Sequence, residues 1–335
     1  WTGSASRNPG LGKKSGRRLS RARHRSTMLK VESQSSILEE AVGSRLLDGK
    51  REPCEISFAD FDEVLFKLTV LPGQENILTL HVALPCFASV MQQGGTKLVD
   101  KIYAGMTATP EPGYQFAVTV DCDAVADKEA TLSNLMHVKR NLLGAPFIKA
   151  FELLNAGTAQ TQPFVTLPYR KTEAMYAVAG NDPANPANYD RITVVISVDF
   201  PEEADRAYAR IFLQQFVDVS RKINNAPPIT FSEPNNPPLE IRDKIGAVNP
   251  SIVGFVSFSI FAAHVKTEAK LHKTVDAVIG FRNYLHFHIK AAKTNLHMRM
   301  RRKVTAWLQV LNRAVMATSA PKEMKTASGK TFTRK

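Results

Sequence analysis

The chain has 335 residues, which is enough for two domains and a substantial buried core. Hydrophobic residues make up 44% of the sequence and charged residues 22%, a composition typical of a globular protein, which excludes an intrinsically disordered chain. Apolar runs stay short of the ~18 residues that a membrane span requires, which argues against a membrane-spanning protein.

The net charge of +13 is concentrated at the two ends of the chain. Residues 1–27 carry eight basic and no acidic residues, and residues 281–335 carry thirteen basic residues against Glu323. The remaining residues, 28–280, therefore have a net charge of −7. We expect an acidic body whose basic ends meet an acidic partner.

Residues 1–27 are interpreted as a basic leader that is non-native or disordered. Their Ser-rich, acid-free composition also fits a mitochondrial presequence. The favoured interpretation is a translated leader ahead of a true start at Met28, and we exclude residues 1–27 from the fold prediction.

The cysteines are Cys54, Cys86 and Cys122, widely spaced and without a CxxC pair. This pattern predicts reduced, buried thiols and indicates neither a disulfide framework nor a zinc site.

Alternating apolar residues predict a hairpin followed by a helix, a strand and a second helix. The segments VLFKLTV (64–70) and ILTLHVAL (77–84) flank a Pro-Gly turn, and GYQFAVTVDCDA (113–124) returns as a strand. Helical periodicity begins at Lys128, with one interruption predicted at 144–146, where the sequence reads Gly-Ala-Pro.

The second half of the chain repeats this order. AMYAVAG (174–180) and RITVVISVDF (191–200) form a second hairpin across NDPANPANY (181–189), which we interpret as an inserted loop. A helix then leads to the strand IVGFVSFSIF (252–261), and ILTLHVALP matches ITVVISVDFP at an offset of 116 residues. The duplication predicts an α+β fold with two similar α/β domains, residues 28–157 and 158–266.

The last predicted element is a helix of unusual length, residues 267–317, followed by a basic tail, 318–335. At ~1.5 Å per residue it is ~75 Å long, more than the width of a small domain. Its apolar residues recur every three or four positions and form one continuous stripe. Burying such a stripe is worth about 20 kcal/mol before entropy is counted, so we expect a permanent partner to cover it.

One motif raises an enzymatic alternative. EISFADFDEVLF (55–66) resembles the opening of a haloacid-dehalogenase-like phosphohydrolase, in which Asp60 would attack phosphorus and Asp62 would protonate the leaving group. The carboxylates that such an enzyme uses for Mg²⁺ have no counterpart downstream, and Glu63 replaces the usual glycine. The favoured interpretation is a strand start with solvent-facing acids between Phe58, Phe61 and Val64.

Other motifs carry little chemistry. SGKTF (328–332) lacks the first glycine of a phosphate-binding loop, and His286 and His288 point to different faces of one helix. The basic C-terminal segment is also compatible with nucleic-acid binding, but it lacks interleaved aromatic residues. We predict no cofactor, no metal, no nucleic-acid partner and no catalytic residue.

A family resemblance rests on several long segments. FADFDEVLF, LMHVKRNLLGAPF, YRKTEAMYAV, DRITVVISVDF, NNPPLEI and FRNYLHFHIKAAKTNLHMRMRRKV occur in this order, and the chain from about Met28 onward resembles subunit 2 of the actin-related protein 2/3 complex. The resemblance implies a non-catalytic scaffold of two similar domains and a long helix. It also implies a heterodimer with subunit 4, contact with the mother actin filament during branching, and a place in the cytoplasm at cortical or branched actin.

The resemblance also suggests two sets of site residues on the last helix and the tail, although the sequence does not separate them face by face. Basic candidates for filament contacts are Arg282, Arg299, Arg302, Arg313, Lys325, Lys330 and Arg334. Apolar candidates for contacts with a partner subunit are Leu285, Ile289, Leu296, Met300, Trp307 and Leu311.

Overall fold

The computed structural model describes residues 34–60, 62–182, 185–318, 323–325, 328–329 and 331–333. The leader 1–27 and most of the tail lie outside these ranges. The described elements form two five-stranded antiparallel sheets, the helices that cover them, one long C-terminal helix and a two-stranded hairpin after it.

The first sheet contains five strands in the order β1-β2-β3-β5-β4. Its strands are β1 (Cys54–Ala59), β2 (Leu65–Val70), β3 (Ile77–Ala83), β4 (Thr107–Ala108) and β5 (Phe116–Asp121). Its helices are α1 (Ser36–Leu46), α2 (Phe87–Val90), α3 (Thr96–Ile102), α4 (Lys128–Met136) and α5 (Val138–Asn155). The predicted hairpin is confirmed, because β2 and β3 pair in antiparallel register from Leu65 opposite Ala83 onward.

The second sheet has the same topology, β6-β7-β8-β10-β9. Its strands are β6 (Val165–Leu167), β7 (Met175–Asp182), β8 (Asn185–Asp199), β9 (Ile229–Ser232) and β10 (Ile252–Phe261). Its helices are α6 (Glu203–Ser220), α7 (Leu239–Arg242) and α8 (Ala262–Val265). The repeated strand order confirms the predicted α+β duplication. The predicted joint near residue 157 falls between the sheets, but the domain bounds themselves stay a prediction.

The prediction of an inserted loop at 181–189 is wrong for most of its length. Strand β7 continues to Asp182 and β8 already begins at Asn185, with irregular pairing where Asn181 faces Tyr189. Because proline and asparagine disfavour strands, the sequence favoured a loop, but pairing within one hairpin overrides that local preference.

The predicted break at Gly144-Ala145-Pro146 is also wrong, because α5 runs through all three residues. The break lies instead at His137, between α4 and α5, where φ is −96° and ψ is 11°. Gly144 is needed for packing rather than for a break, since a Cβ there would lie 2.7 Å from the Val275 side chain on the C-terminal helix.

The helical segment after β3 is kinked between α2 and α3. Gly94 has a φ of 121°, which a residue with a side chain rarely adopts, and Gln93 is also outside the helical region. The kink redirects α3 across the surface of α5.

The long helix α9 (Glu268–Thr318) has 51 residues and confirms the predicted C-terminal rod. Its first half packs against α5 and α6, and Val275, Ile279 and Phe281 join the buried core shared by the two sheets. Beyond α9, β11 (Glu323–Lys325) pairs with β12 (Thr331–Thr333). Within these described residues, no helix is both long and apolar enough to cross a membrane.

Candidate functional site

The second half of α9 leaves the body of the protein. Residues 294–313 are all exposed, whereas most residues from Leu271 to Ile289 are buried or half-buried. We call residues 294–313 the α9 arm. At ~1.5 Å per residue the arm is ~30 Å long, so it offers a surface that the described residues of this chain leave exposed.

Two lysines fasten α9 to α6 just before the arm begins. Lys290 Nζ lies 2.5 Å from Asp205 Oδ2, and Lys293 Nζ lies 3.0 Å from Asp205 Oδ1 and also binds Glu202. Burial acts to raise the pKa of Asp205, but hydrogen bonds from Lys290 and Lys293 outweigh it and the pKa is lowered. These ion pairs mark the boundary between the packed half of α9 and the arm.

A stripe of large apolar side chains runs along the arm. At 100° per residue, its members lie within an arc of about 80° on the helix surface. They are Leu296, Met300, Val304, Trp307 and Leu311, and 69% of Trp307 is exposed. An exposed apolar row of this length is typical of a surface for another protein chain.

Three arginines of the arm occupy a different face. Arg299, Arg302 and Arg313 lie within an arc of about 60° centred about 130° from the middle of the apolar stripe. Among the described residues, none of the three forms an ion pair with this chain, and all are exposed. The three arginines, which we call the basic face, therefore lie apart from the five residues of the stripe, which we call the apolar face, while Met298, Leu308 and Val310 are exposed outside both arcs.

Three of the sequence-predicted site residues are buried in the packed half of α9, which corrects their assignment. Leu285 and Ile289 continue the same stripe but are 0% and 1% exposed, because they belong to the core of this chain. Arg282 is 2% exposed and therefore lies off any basic outer face.

Arg282 has a structural role at the second sheet. Its Nε lies 2.9 Å from both carboxylate oxygens of Glu173, its guanidinium lies 4.6 Å from the centre of the Phe200 ring, and Nη2 donates to the Asp199 carbonyl. Glu173 also accepts hydrogen bonds from Tyr169 and Arg170, at 2.9 and 2.6 Å. This network ties α9 to the ends of β7 and β8, and nothing in the sequence signalled it.

The remaining basic candidates lie in or beside the C-terminal hairpin. Lys325 is in β11, and its side chain is not described, while Lys330 and Arg334 lie outside the described residues. Their assignment stays a prediction.

The Asp60 and Asp62 pair is not solvent-facing, so that part of the prediction is wrong. Both carboxylates bind the ammonium of Lys139 on α5, with Asp62 Oδ2 at 2.9 Å, and Asp60 also accepts from Asn283 of α9. Asp62 is 2% exposed, and burial raises its pKa although Lys139 opposes the shift. The pair joins the first sheet to α5 and α9.

The cysteines agree with the prediction of reduced thiols. Cys86 and Cys122 are buried, Cys54 is half-buried, and all three are free. Burial raises the pKa of the Cys86 thiol to about 12, so it is not a reactive thiolate. In the described ranges, no group of three or more His, Cys, Asp or Glu residues has the arrangement of a metal site.

Comparison with known proteins identifies the family. The model of the Arp2/3 complex 34 kD subunit, p34-Arc, matches residues 80–318. The chain belongs to the p34-Arc family. The actin-related protein 2/3 complex subunit 2 of Schizosaccharomyces pombe is 32% identical over 329 residues, covering 92% of this chain and 100% of that protein. The protein of the same description from Dictyostelium discoideum is 35% identical over 289 residues, covering 86% and 93%.

Membership of the p34-Arc family confirms the resemblance read from the sequence. Members of this family are structural, non-catalytic subunits of the Arp2/3 complex, the nucleator of branched actin in the cytoskeleton. The family assignment therefore removes the phosphohydrolase alternative, and the ion-paired geometry of Asp60 and Asp62 gives that pair a structural explanation.

Proposed function

We propose that the chain is the actin-filament-binding scaffold subunit of the Arp2/3 complex and that it dimerises with subunit 4 through the α9 arm. The observation that carries the proposal is the arm itself, an exposed helix with an apolar face and a separate basic face. A structural subunit of this family works inside an assembly, and the arm leaves a row of large apolar side chains exposed.

The apolar face supports a permanent partner. Its five side chains expose about 500 Å² in all, and at ~25 cal/mol per Å² their burial is worth about 12 kcal/mol before entropy is counted. Because the stripe continues that of Leu285 and Ile289, a partner helix that lies on the arm extends the packing already present in the body.

The partner contact is tested by co-expressing the chain with subunit 4 and measuring heterodimer recovery by size-exclusion chromatography. Trp307→Asp with Leu311→Asp places two charges on the apolar face, so the heterodimer is expected to be lost. The matched control is Gln309→Asp with Asn312→Asp, which adds the same charges on other faces of the same turns and leaves the heterodimer intact. Normal recovery of the Trp307 and Leu311 variant would reject the apolar face as the interface.

The basic face supports contact with the filament, which is an acidic surface. Arg299, Arg302 and Arg313 remain available when a partner covers the apolar face, because they lie on another part of the helix surface. Lys325, Lys330 and Arg334 are proposed as further filament contacts on the basis of their charge.

The filament contact is tested in the assembled complex by co-sedimentation with actin filaments at physiological salt. Changing Arg299, Arg302 and Arg313 to Glu is expected to abolish pelleting without loss of any subunit. The control is Lys171→Glu with Lys222→Glu and Lys273→Glu, which makes the same change of charge at exposed lysines of the body. Filament binding that survives in the arginine variant would show that the basic face is not the contact.

The proposed site of action is branched actin at the cell cortex, in the cytoplasm. A fluorescent fusion of the chain should colocalise with branched filaments, and the Trp307 and Leu311 variant, which is expected not to assemble, should be diffuse.

A further inference from the structure

The body carries a second open surface far from the α9 arm. A groove of about 800 Å³ lies between α3, α5 and the first turn of α9. Its residues on α9 are Glu268, Leu271 and His272, more than twenty positions before the arm, so the two surfaces are ~30 Å apart along the helix. We call this surface the α3–α5 groove.

The floor of the α3–α5 groove is apolar. Leu98 and Ile102 of α3 and Ile148 of α5 are half-buried and pack on the core from one side only. Met91 and Leu271 also line the groove. The groove lies beside the kink at Gly94, where an added Cβ would lie 3.2 Å from the Lys149 side chain on α5.

The rim of the groove is mainly cationic. Lys97 and Lys101 on α3 and Lys149 on α5 are exposed, and among the described residues none of them has an ion-pair partner. Arg140 at one end is already neutralised by Asp276, at 2.7 Å. Glu152 and Glu268 also line the groove, on α5 and α9, so among its described residues the lysines without an ion-pair partner are Lys97 and Lys101 on α3 and Lys149 on α5.

The dimensions favour an elongated ligand over a compact one. The groove follows α5 from Arg140 to Asn155, which is about 22 Å at 1.5 Å per residue. That length equals about four turns of a helix. Three helices that leave a groove of this kind offer a packing site for a fourth, with apolar side chains on the floor and charged ones at the rim.

The charge of the chain's own ends excludes them as occupants. Residues 1–27 have a net charge of +8, and the basic residues after 318 outnumber Glu323. A basic segment against Lys97, Lys101 and Lys149 would bring like charges together.

We propose that the α3–α5 groove binds an acidic, amphipathic helical segment of another protein. Leucine-type side chains of that segment pack on Leu98, Ile102 and Ile148, and its carboxylates face Lys97 and Lys101. This makes the subunit a docking platform at a surface separate from the arm, and the proposal holds whether or not the arm binds subunit 4 or actin.

The test uses the full chain and a fluorescein-labelled 16-residue peptide, with Leu at positions 1, 4, 5, 8, 11, 12 and 15 and Glu or Gln elsewhere. Binding is measured by fluorescence anisotropy at 0.15 M NaCl. A peptide with Lys in place of every Glu keeps the apolar face and reverses the charge. The acidic peptide is expected to bind saturably and the basic peptide about tenfold or more weakly.

Two variants locate the site. Lys97→Glu with Lys101→Glu is expected to raise the Kd of the acidic peptide about tenfold, and the effect should shrink in 1 M NaCl because salt screens exposed charges. Gln92→Trp places an indole in the groove without changing its charge and should also weaken binding. The control, Lys171→Glu with Lys222→Glu, makes the same charge change outside the groove and should leave the Kd within about twofold.

Several results would overturn the proposal. The proposal fails if the two peptides bind with equal affinity or if the Kd of the acidic peptide is unchanged in both groove variants. It also fails if the control variant loses as much affinity as the Lys97 and Lys101 variant. Binding to phosphatidylserine vesicles without binding to the acidic peptide would assign the lysines to a membrane surface instead. Self-association of the chain that the Lys97 and Lys101 variant abolishes would assign the groove to a second copy.

Discussion

The two halves of α9 carry the same apolar stripe but in opposite environments. Leu285 and Ile289 are buried by the chain's own sheets and helices, whereas Trp307 and Leu311, on the same face about six turns later, are exposed. Helical periodicity is identical in both halves, so it shows that a face will be buried but not what buries it. The apolar stripe of the first half is buried when this chain folds. In our proposal, the stripe of the second half is buried when the complex assembles.

Charged residues follow the same division. Arg282 in the packed half is held by a buried carboxylate, while Arg302 in the arm is exposed. A change in the packed half should therefore affect stability more than the matched change in the arm, with stability measured on the full chain by urea unfolding followed with circular dichroism.

The largest effect is expected from Arg282→Met. The substitution removes one of the two arginines that pair with the buried Glu173 carboxylate and leaves Arg170, so the free energy of unfolding should fall by about 3–5 kcal/mol. Arg302→Met, its counterpart in the arm, should change it by less than about 0.5 kcal/mol. Combining Arg282→Met with Glu173→Gln should recover part of the loss. If the Arg282→Met and Arg302→Met variants had the same free energy of unfolding, the network would not be what holds α9 to the second sheet.

The next largest change in the free energy of unfolding is expected from truncating leucines of the apolar stripe. Leu285→Ala opens a cavity in the core and should lower the free energy of unfolding by about 2–5 kcal/mol. Leu311→Ala removes the same atoms from an exposed position and should cost less than about 0.5 kcal/mol in the isolated chain. In the heterodimer with subunit 4, Leu311→Ala should become destabilising as well. Equal costs of the two substitutions in the isolated chain would contradict the division of the stripe.

A smaller change in stability is expected when the pH is lowered, because His286 becomes protonated. Burial, with Arg282 and Lys290 nearby, lowers the pKa of His286 to about 4, below its unfolded value of 6.5. Between these values the unfolded chain binds the extra proton, so stability should fall as pH drops from about 6.5 to 4, by about 1–2 kcal/mol after allowance for solvent screening.

His286→Gln should flatten that part of the pH profile. His297→Gln, the counterpart in the arm, should leave the profile as it is, because His297 is exposed. A wild-type profile that is flat between pH 6.5 and 4 would contradict the low pKa of His286.

Most helices and strands could be predicted from the sequence, but the packing around them could not. The hairpins, α6, β10 and α9 followed from apolar periodicity, and the repeat predicted two similar sheets, because these signals depend on residues close in sequence. The break at His137 and the strands over 181–189 depend on pairing and packing that local propensity does not encode.

The candidate site shows the same limit. The sequence placed Leu285, Ile289 and Arg282 with the arm residues, because a stripe and a run of basic residues look alike along the whole helix. The elements that bury the first half are α5, α6 and the β7 and β8 ends, which are distant in sequence, as the contact of Phe216 with Phe281 illustrates. The α3–α5 groove had no sequence signal at all, since it is the space left between helices after the kink at Gly94.

The smallest effect concerns the boundary between the two halves. Lys293→Met removes one of the two lysines on Asp205, while Lys290 stays at 2.5 Å, so the free energy of unfolding should fall by only about 0.5–1 kcal/mol. Hydrogen exchange is the sharper measurement, because it resolves where the helix opens. Amides from 290 to 300 should exchange faster in the variant, and amides near Leu285 should not, because the core and the Arg282 network hold that turn independently. If faster exchange also reached Leu285, the ion pairs of Lys290 and Lys293, rather than the apolar core, would hold that turn of α9 to the body. The lysines would then set the residue at which the arm begins.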